Sequence, residues 1–171
     1  MTSIETMTKT TFAEYAAAAE ARQDIAAKIL AHSFELCEVL RANFIDYSIK
    51  QHERSIDYAD AGDVNSVRYH EACIDKLNKG ISDYDFTIDT GRKYHKVIMN
   101  AHGNKSVHAF IDKKTGEVYK AASWKAPAKD VRYDMRLITE RENLYKHCDW
   151  AGGYLYMEES TRIRNYPQVD G

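Results

Sequence analysis

Cysteine is scarce and scattered: Cys37, Cys73 and Cys148 are the only three in 171 residues, and no CxxC occurs. That excludes a disulfide framework and a thiolate zinc site. No apolar run approaches the roughly 18 residues that a membrane span needs. Met1 to Thr11 lacks the basic start and apolar centre of a secretory signal. These absences predict a cytoplasmic protein without a membrane partner. Catalytic signatures are missing as well. No HExxH, Glu-x-x-His or His-x-His occurs, nor any G-x-S-x-G, G-x-x-x-x-G-K-[ST] or G-x-G-x-x-G. The expectation is a protein that is not an enzyme, with no catalytic residue, no metal and no cofactor.

What the chain does have is enough apolar side chain for a core, 44% hydrophobic against 29% charged, at a mean hydropathy of -0.59. Its length fits one domain, or one domain with a helical arm. The net charge of -2 hides a segregation. Residues 1–90 hold 9 basic against 16 acidic side chains, a balance of -7; residues 91–132 hold 10 against 3, or +7; the last 39 residues add -2. A segment at +7 attracts phosphates whatever the total charge. The opposing reading is that the acidic and basic parts neutralise each other within the fold.

Three stretches follow from periodicity: a helical region over 1–90, a β-meander with a short helix over 91–157, and a tail over 158–171. Thr11 to Ala21 is alanine-rich, and Asp24 to Lys50 continues with Ala26, Leu30, Cys37, Leu40, Phe44 and Tyr47 at helical spacing. Ile25, Ile29, Leu36 and Ile45 widen that stripe beyond a coiled-coil seam. So wide a stripe predicts self-association through Ala26 to Tyr47, giving a homo-oligomer. Asp63 fits the N-cap of a second helix that Gly80 ends, and the two helices should form a hairpin.

Beyond Gly80 the period changes to two. Strands are expected over Arg92–Asn100, Ser106–Asp112 and Val118–Trp124, with a turn at His102-Gly103-Asn104 and Gly116 at positive φ in a hairpin loop. Pro127 ends the last of these strands. A short helix around Met135 to His147 and an edge strand at Tyr154 to Met157 complete an α+β fold: an N-terminal helical hairpin, a small antiparallel meander and a short C-terminal helix.

Rings and cations interleave in the meander, and that combination holds phosphates while stacking on bases. The expected ligand-binding residues are Tyr94, His108, Lys120, Trp124, Lys125, Lys129 and Arg132. Alternation puts Val107, Ala109 and Ile111 on one face with His108 and Phe110 on the other. It also puts Lys120 and Trp124 together on the next strand. The competing reading is that these rings simply pack in the core. His52 and His70 lie on the two hairpin helices, where they can meet across it, but solvated helix faces explain them more simply than a metal.

The run SVHAFIDKKTGEVYKAASWKAPAKDVRYD at Ser106–Asp134, with GRKYHKVIM before it and DWAGGYLYM after, resembles a widespread group of small tailed-phage proteins, most of them hypothetical. The likeness covers Gly91 to Met157 and is most specific in the W-K-A-P-A-K segment at Trp124–Lys129. Related sequences read Arg-Gly-Asn where this chain has Arg132-Tyr133-Asp134. The resemblance implies a phage accessory protein acting in the host cytoplasm, where non-enzymatic sponges for immune nucleotides such as a cyclic dinucleotide are one anti-defence type. Three functions therefore stand open: sequestration of a small phosphorylated nucleotide, single-stranded nucleic-acid binding, and inhibition of a host protein through the acidic helices.

Overall fold

A computed structural model describes residues 11–157; the tail expected over 158–171 lies outside the described residues. The alanine-rich segment and the stripe after it form one unbroken helix, α1 (Phe12–Asp57), about 70 Å long at 1.5 Å per residue. Its start is fixed by a capping box: Thr11 Oγ1 accepts from the Glu14 amide at 3.1 Å, and Glu14 Oε2 accepts from the Thr11 amide at 3.0 Å. No membrane-crossing length and hydrophobicity occur in any described helix. A short break leads to α2 (Val64–Asn78), where Asp63 caps the Ser66 amide at 3.1 Å. Gly80, just past the end of α2, takes φ 79°.

Five strands follow the hairpin as an antiparallel meander in sequence order: β1 (Tyr84–Thr90), β2 (Tyr94–Ala101), β3 (Asn104–Asp112), β4 (Glu117–Lys120) and β5 (Tyr133–Asp134). Strand β1 lies past Gly80 but within the 1–90 region, where no strand was expected. Its seven residues alternate Phe86 and Ile88 with polar neighbours, a pattern too short to stand out beside the long helices. The β2–β3 turn is a two-residue loop with both His102 (φ 51°) and Gly103 (φ 83°) left-handed, the conformation that matches the twist of a hairpin. Strand β4 stops at Lys120, short of the expected Trp124, because residues 122–126 fold into a loop closed by amides of Ala122 and Ser123 on the Ala126 carbonyl. A helix α3 (Ile138–His147) follows, and the expected edge strand at Tyr154–Met157 is instead a 3-10 turn, Gly153–Leu155.

Helix α1 lies across one face of the sheet. Ile29, Leu36, Cys37 and Leu40 pack against Phe86, Val97, Ala109, Ile111 and Val118, with Met135, Leu144 and Leu155 closing the far side. Ile29, Leu36, Cys37 and Leu40 of the stripe that predicted self-association are thus covered by the chain's own sheet, while Tyr47 at its end stays exposed. Arg41 locks the contact: its guanidinium pairs with Asp85 and Glu38 and donates to the Phe86 carbonyl at 2.6 Å. At the other end Tyr145 of α3 donates to Glu35 Oε2 at 2.9 Å and lies 3.0 Å from the His32 carbonyl.

Candidate ligand cleft

On the helix-bearing side, the C-terminal segment closes over the end of the sheet and leaves a cleft of about 340 Å³. Asp149 shapes that segment. Its carboxylate accepts from the amides of Ala151 (2.9 Å) and Tyr154 (3.2 Å), which bends the chain through Gly152 at φ 85°. The Trp150 amide donates to Asn43 of α1 at 2.9 Å and moors the loop. The walls are then Trp150, Gly152, Leu155 and Tyr156 on one side, and Met99, Ser106, His108 and Lys120 on the sheet.

His108 reaches this cleft through a β-bulge. The register between β2 and β3 shifts at Val97/Ile98, so Val97 pairs with Ala109 while Ile98 pairs with Val107. His108 is the extra residue and turns to the core side, edge-on to Phe86 at 5.4 Å. Simple alternation had placed it opposite Ala109, a period that a bulge interrupts. Its Nε2 sits 2.8 Å from the Tyr154 hydroxyl. Burial pushes the imidazole pKa down to about 4, and the charge of Asp149 opposes this only in part. The ring is neutral at pH 7, and hydrogen-bond accounting assigns its tautomer. Among the described residues the Tyr154 hydroxyl has no other partner, so it donates to Nε2, which leaves the proton on Nδ1. This Nδ1–H, without a partner among the described residues, lies beside Gly152 at the cleft wall. The cleft floor thus offers a neutral donor.

Lys120 supplies the positive charge. Its Nζ stands 4.7 Å from the centre of the Tyr156 ring, a cation–π contact at the cleft wall. Trp124, expected to act with Lys120, belongs to the opposite face: the loop carries it there, and Lys96 donates to its carbonyl at 2.8 Å while lying 5.9 Å from its ring. Tyr94 is on that face too, edge-on to Phe110 at 5.5 Å and to Tyr119 at 6.2 Å. Phe110 is fully buried there, so this ring packs as core. Lys125 sits exposed in the Trp124 loop, and Lys129 is exposed in the following one. Arg132 is engaged in structure, its Nε donating to the Leu155 carbonyl and its Nη1 to the Lys129 carbonyl, each at 2.6 Å. It braces the C-terminal wall from behind.

Of the seven expected residues, the structure therefore brings only His108 and Lys120 into one cleft, with Arg132 supporting it. Trp150, Gly152, Tyr154 and Tyr156 complete the site and were not expected there. Their signal in the sequence was the Gly152-Gly153 pair, flanked by aromatics within DWAGGYLYM. Elsewhere the structure places together two residues expected on solvated faces: His52 of α1 and His70 of α2 are part-buried, with Nδ1 atoms 2.8 Å apart. No cluster of three or more His, Cys, Asp or Glu is placed to hold a metal ion among the described residues.

The fold and cleft together define a small α+β protein with a preformed polar and aromatic cleft. The chain belongs to the family of unknown function DUF7717, whose sequence profile matches residues 12–157, nearly all of the described structure. No curated protein and no solved structure matches it significantly.

Proposed function

We propose that the protein is a non-enzymatic binder of a small phosphorylated nucleotide, held in this cleft. The observation that carries the reading is the convergence of Lys120, the neutral Nδ1–H of His108 and the Trp150 and Tyr156 rings on one preformed cavity. A lysine ammonium takes a phosphate, the imidazole donor takes a base or sugar acceptor, and a ring stacks on the base. About 340 Å³ lies at the lower end of ligand sites, which suits one nucleoside phosphate unit. A cyclic dinucleotide would keep its second half at the mouth. Binding without turnover is supported by the charge states of the enclosing groups. Burial holds His108 neutral and raises the pKa of the Tyr154 hydroxyl well above its ordinary value, so neither is poised for acid–base work near pH 7. Sequestering a nucleotide signal, as a phage anti-defence protein does in its host, is the biological role that such binding would serve.

The test is a thermal-shift and calorimetric panel of mono-, di- and cyclic nucleotides, run beside a labelled oligonucleotide. One nucleotide should bind, with Lys120→Ala weakening it by about tenfold or more and leaving the melting temperature unchanged. Trp124→Ala should leave nucleotide affinity alone, since its ring is on the other face. A second reading rests on that face: half-exposed Trp124 beside Lys96, with Lys93 5.3 Å from the Tyr94 ring, is a platform for single-stranded nucleic acid. Oligonucleotide binding that is steeply salt-dependent and lost in Trp124→Ala, with no nucleotide bound, would replace the cleft reading.

A further inference from the structure

The two helices of the hairpin are joined by a contact that the cleft does not use. His52 of α1 and His70 of α2 face each other with Nδ1 atoms 2.8 Å apart and rings tilted by 50°. Beside them opens a second cavity of about 520 Å³, lined by Ser48, Tyr69, Cys73 and Lys76 among others. Two neutral imidazoles can share one proton across such a gap. The same two atoms are also a chelate.

We infer that His52 and His70 form a two-histidine site for a divalent transition metal of tetragonal preference, Cu²⁺ or Ni²⁺, clasping α1 to α2. The spacing carries the choice of metal. With imidazole–metal bonds of roughly 2.0–2.1 Å, a 2.8 Å separation subtends about 84–89° at the ion. That is the angle between adjacent ligands of a square-planar or octahedral ion, the geometry that Cu²⁺ and Ni²⁺ favour. A tetrahedral ion such as Zn²⁺ would need the nitrogens roughly 3.3 Å apart, and hence a shift of one helix. For either ion the rings must turn from their mutual hydrogen bond so that both Nδ1 lone pairs converge on the metal, and the tetragonal ion asks for the smaller change in separation. His52 lines the neighbouring cavity, which leaves room for water to complete the coordination. Because the ligands come from separate helices, the ion would bind the folded hairpin and not the unfolded chain.

The experiment uses tag-free full-length protein and CuCl₂ and NiCl₂ as probes. Calorimetry should give one ion per chain with a micromolar dissociation constant. The Cu²⁺ electron paramagnetic resonance spectrum should be axial, with hyperfine splitting from two nitrogens. At a hundredfold excess of Ni²⁺ over its dissociation constant, the melting temperature should rise by about 5–10 °C. His52→Gln and His70→Gln should each weaken binding at least tenfold and abolish the shift, and the double variant should be no worse than either. Both single variants can be checked for native helicity by circular dichroism, and His52→Ala and His70→Ala serve in their place if either fails to fold. His147→Gln, on α3, should change nothing. Absence of 1:1 binding to the wild-type protein, or affinity retained in both single variants, overturns the assignment.

Discussion

Protonating His108 should cost the protein a measurable part of its stability, and the size of that loss follows from the cleft. Burial holds the imidazole pKa at about 4 in the folded state, against 6.5 for the free side chain. A depressed histidine pKa means that the unfolded chain takes up the proton first. The contribution is therefore fully present above pH 6.5 and is lost as the pH falls from 6.5 toward 4. A difference of about 2.5 units is worth roughly 3 kcal/mol in full, of which about 2 kcal/mol would disappear between pH 6.5 and 4.5. His108 lines a cleft and not a closed core, so this figure is a ceiling. Urea unfolding followed by circular dichroism at pH 6.5, 5.5 and 4.5 measures the loss. Other groups titrate in the same range, including Glu35, whose carboxyl is held low by His32 and Tyr145, and His95, whose imidazole is lowered by burial and by Lys113. Comparison with His108→Gln removes them, because they are common to both proteins. Wild type should lose about 1–2 kcal/mol more than the variant over this interval. Parallel curves for the two proteins would refute the assignment of a buried, neutral His108.

Four further substitutions probe the frame around the cleft and the face opposite it. Gly152→Ala forces a left-handed residue at φ 85° while its Cβ meets the His108 ring at an ordinary 3.6 Å, so thermal unfolding should show a loss of about 1–2 kcal/mol from backbone alone. Phe86→Ala empties a fully buried position between α1 and His108 and should cost about 3–5 kcal/mol in denaturant unfolding, whereas Trp124→Ala in its exposed loop should stay within about 0.5 kcal/mol. Tyr145→Phe removes the hydroxyl that joins α3 to Glu35 and should cost about 1–3 kcal/mol, with the Glu35 carboxyl, followed by NMR, titrating nearer its ordinary value.

Much of the fold was legible because it rests on local rules. Helical spacing and alanine content gave α1, Asp63 and Gly80 bounded α2, and the period of two gave β2 and β3 with their turn. The failures share a cause in tertiary context. β1, past Gly80 but left with the helical region, was not expected, because seven residues of weak alternation acquire a strand's meaning only when β2 is beside them. Trp124 left the expected strand when the loop folded back on the Ala126 carbonyl, and the Tyr154 segment became a turn once Asp149 gathered its amides.

The cleft shows the same division more sharply. Composition and charge order alone determined an α+β chain with a basic, ring-bearing meander between acidic flanks, since periodicity and charge are properties of neighbouring residues. Which rings were core and which were wall was decided by the bulge that turns His108 inward and by the C-terminal segment laid over Met99 and Lys120. Both depend on contacts between residues some forty positions apart, such as His108 with Tyr154, and no local period encodes such a contact. The meeting of His52 and His70 is of the same kind: sequence put one on each helix, and only the packing angle of the hairpin brought two nitrogens within 2.8 Å.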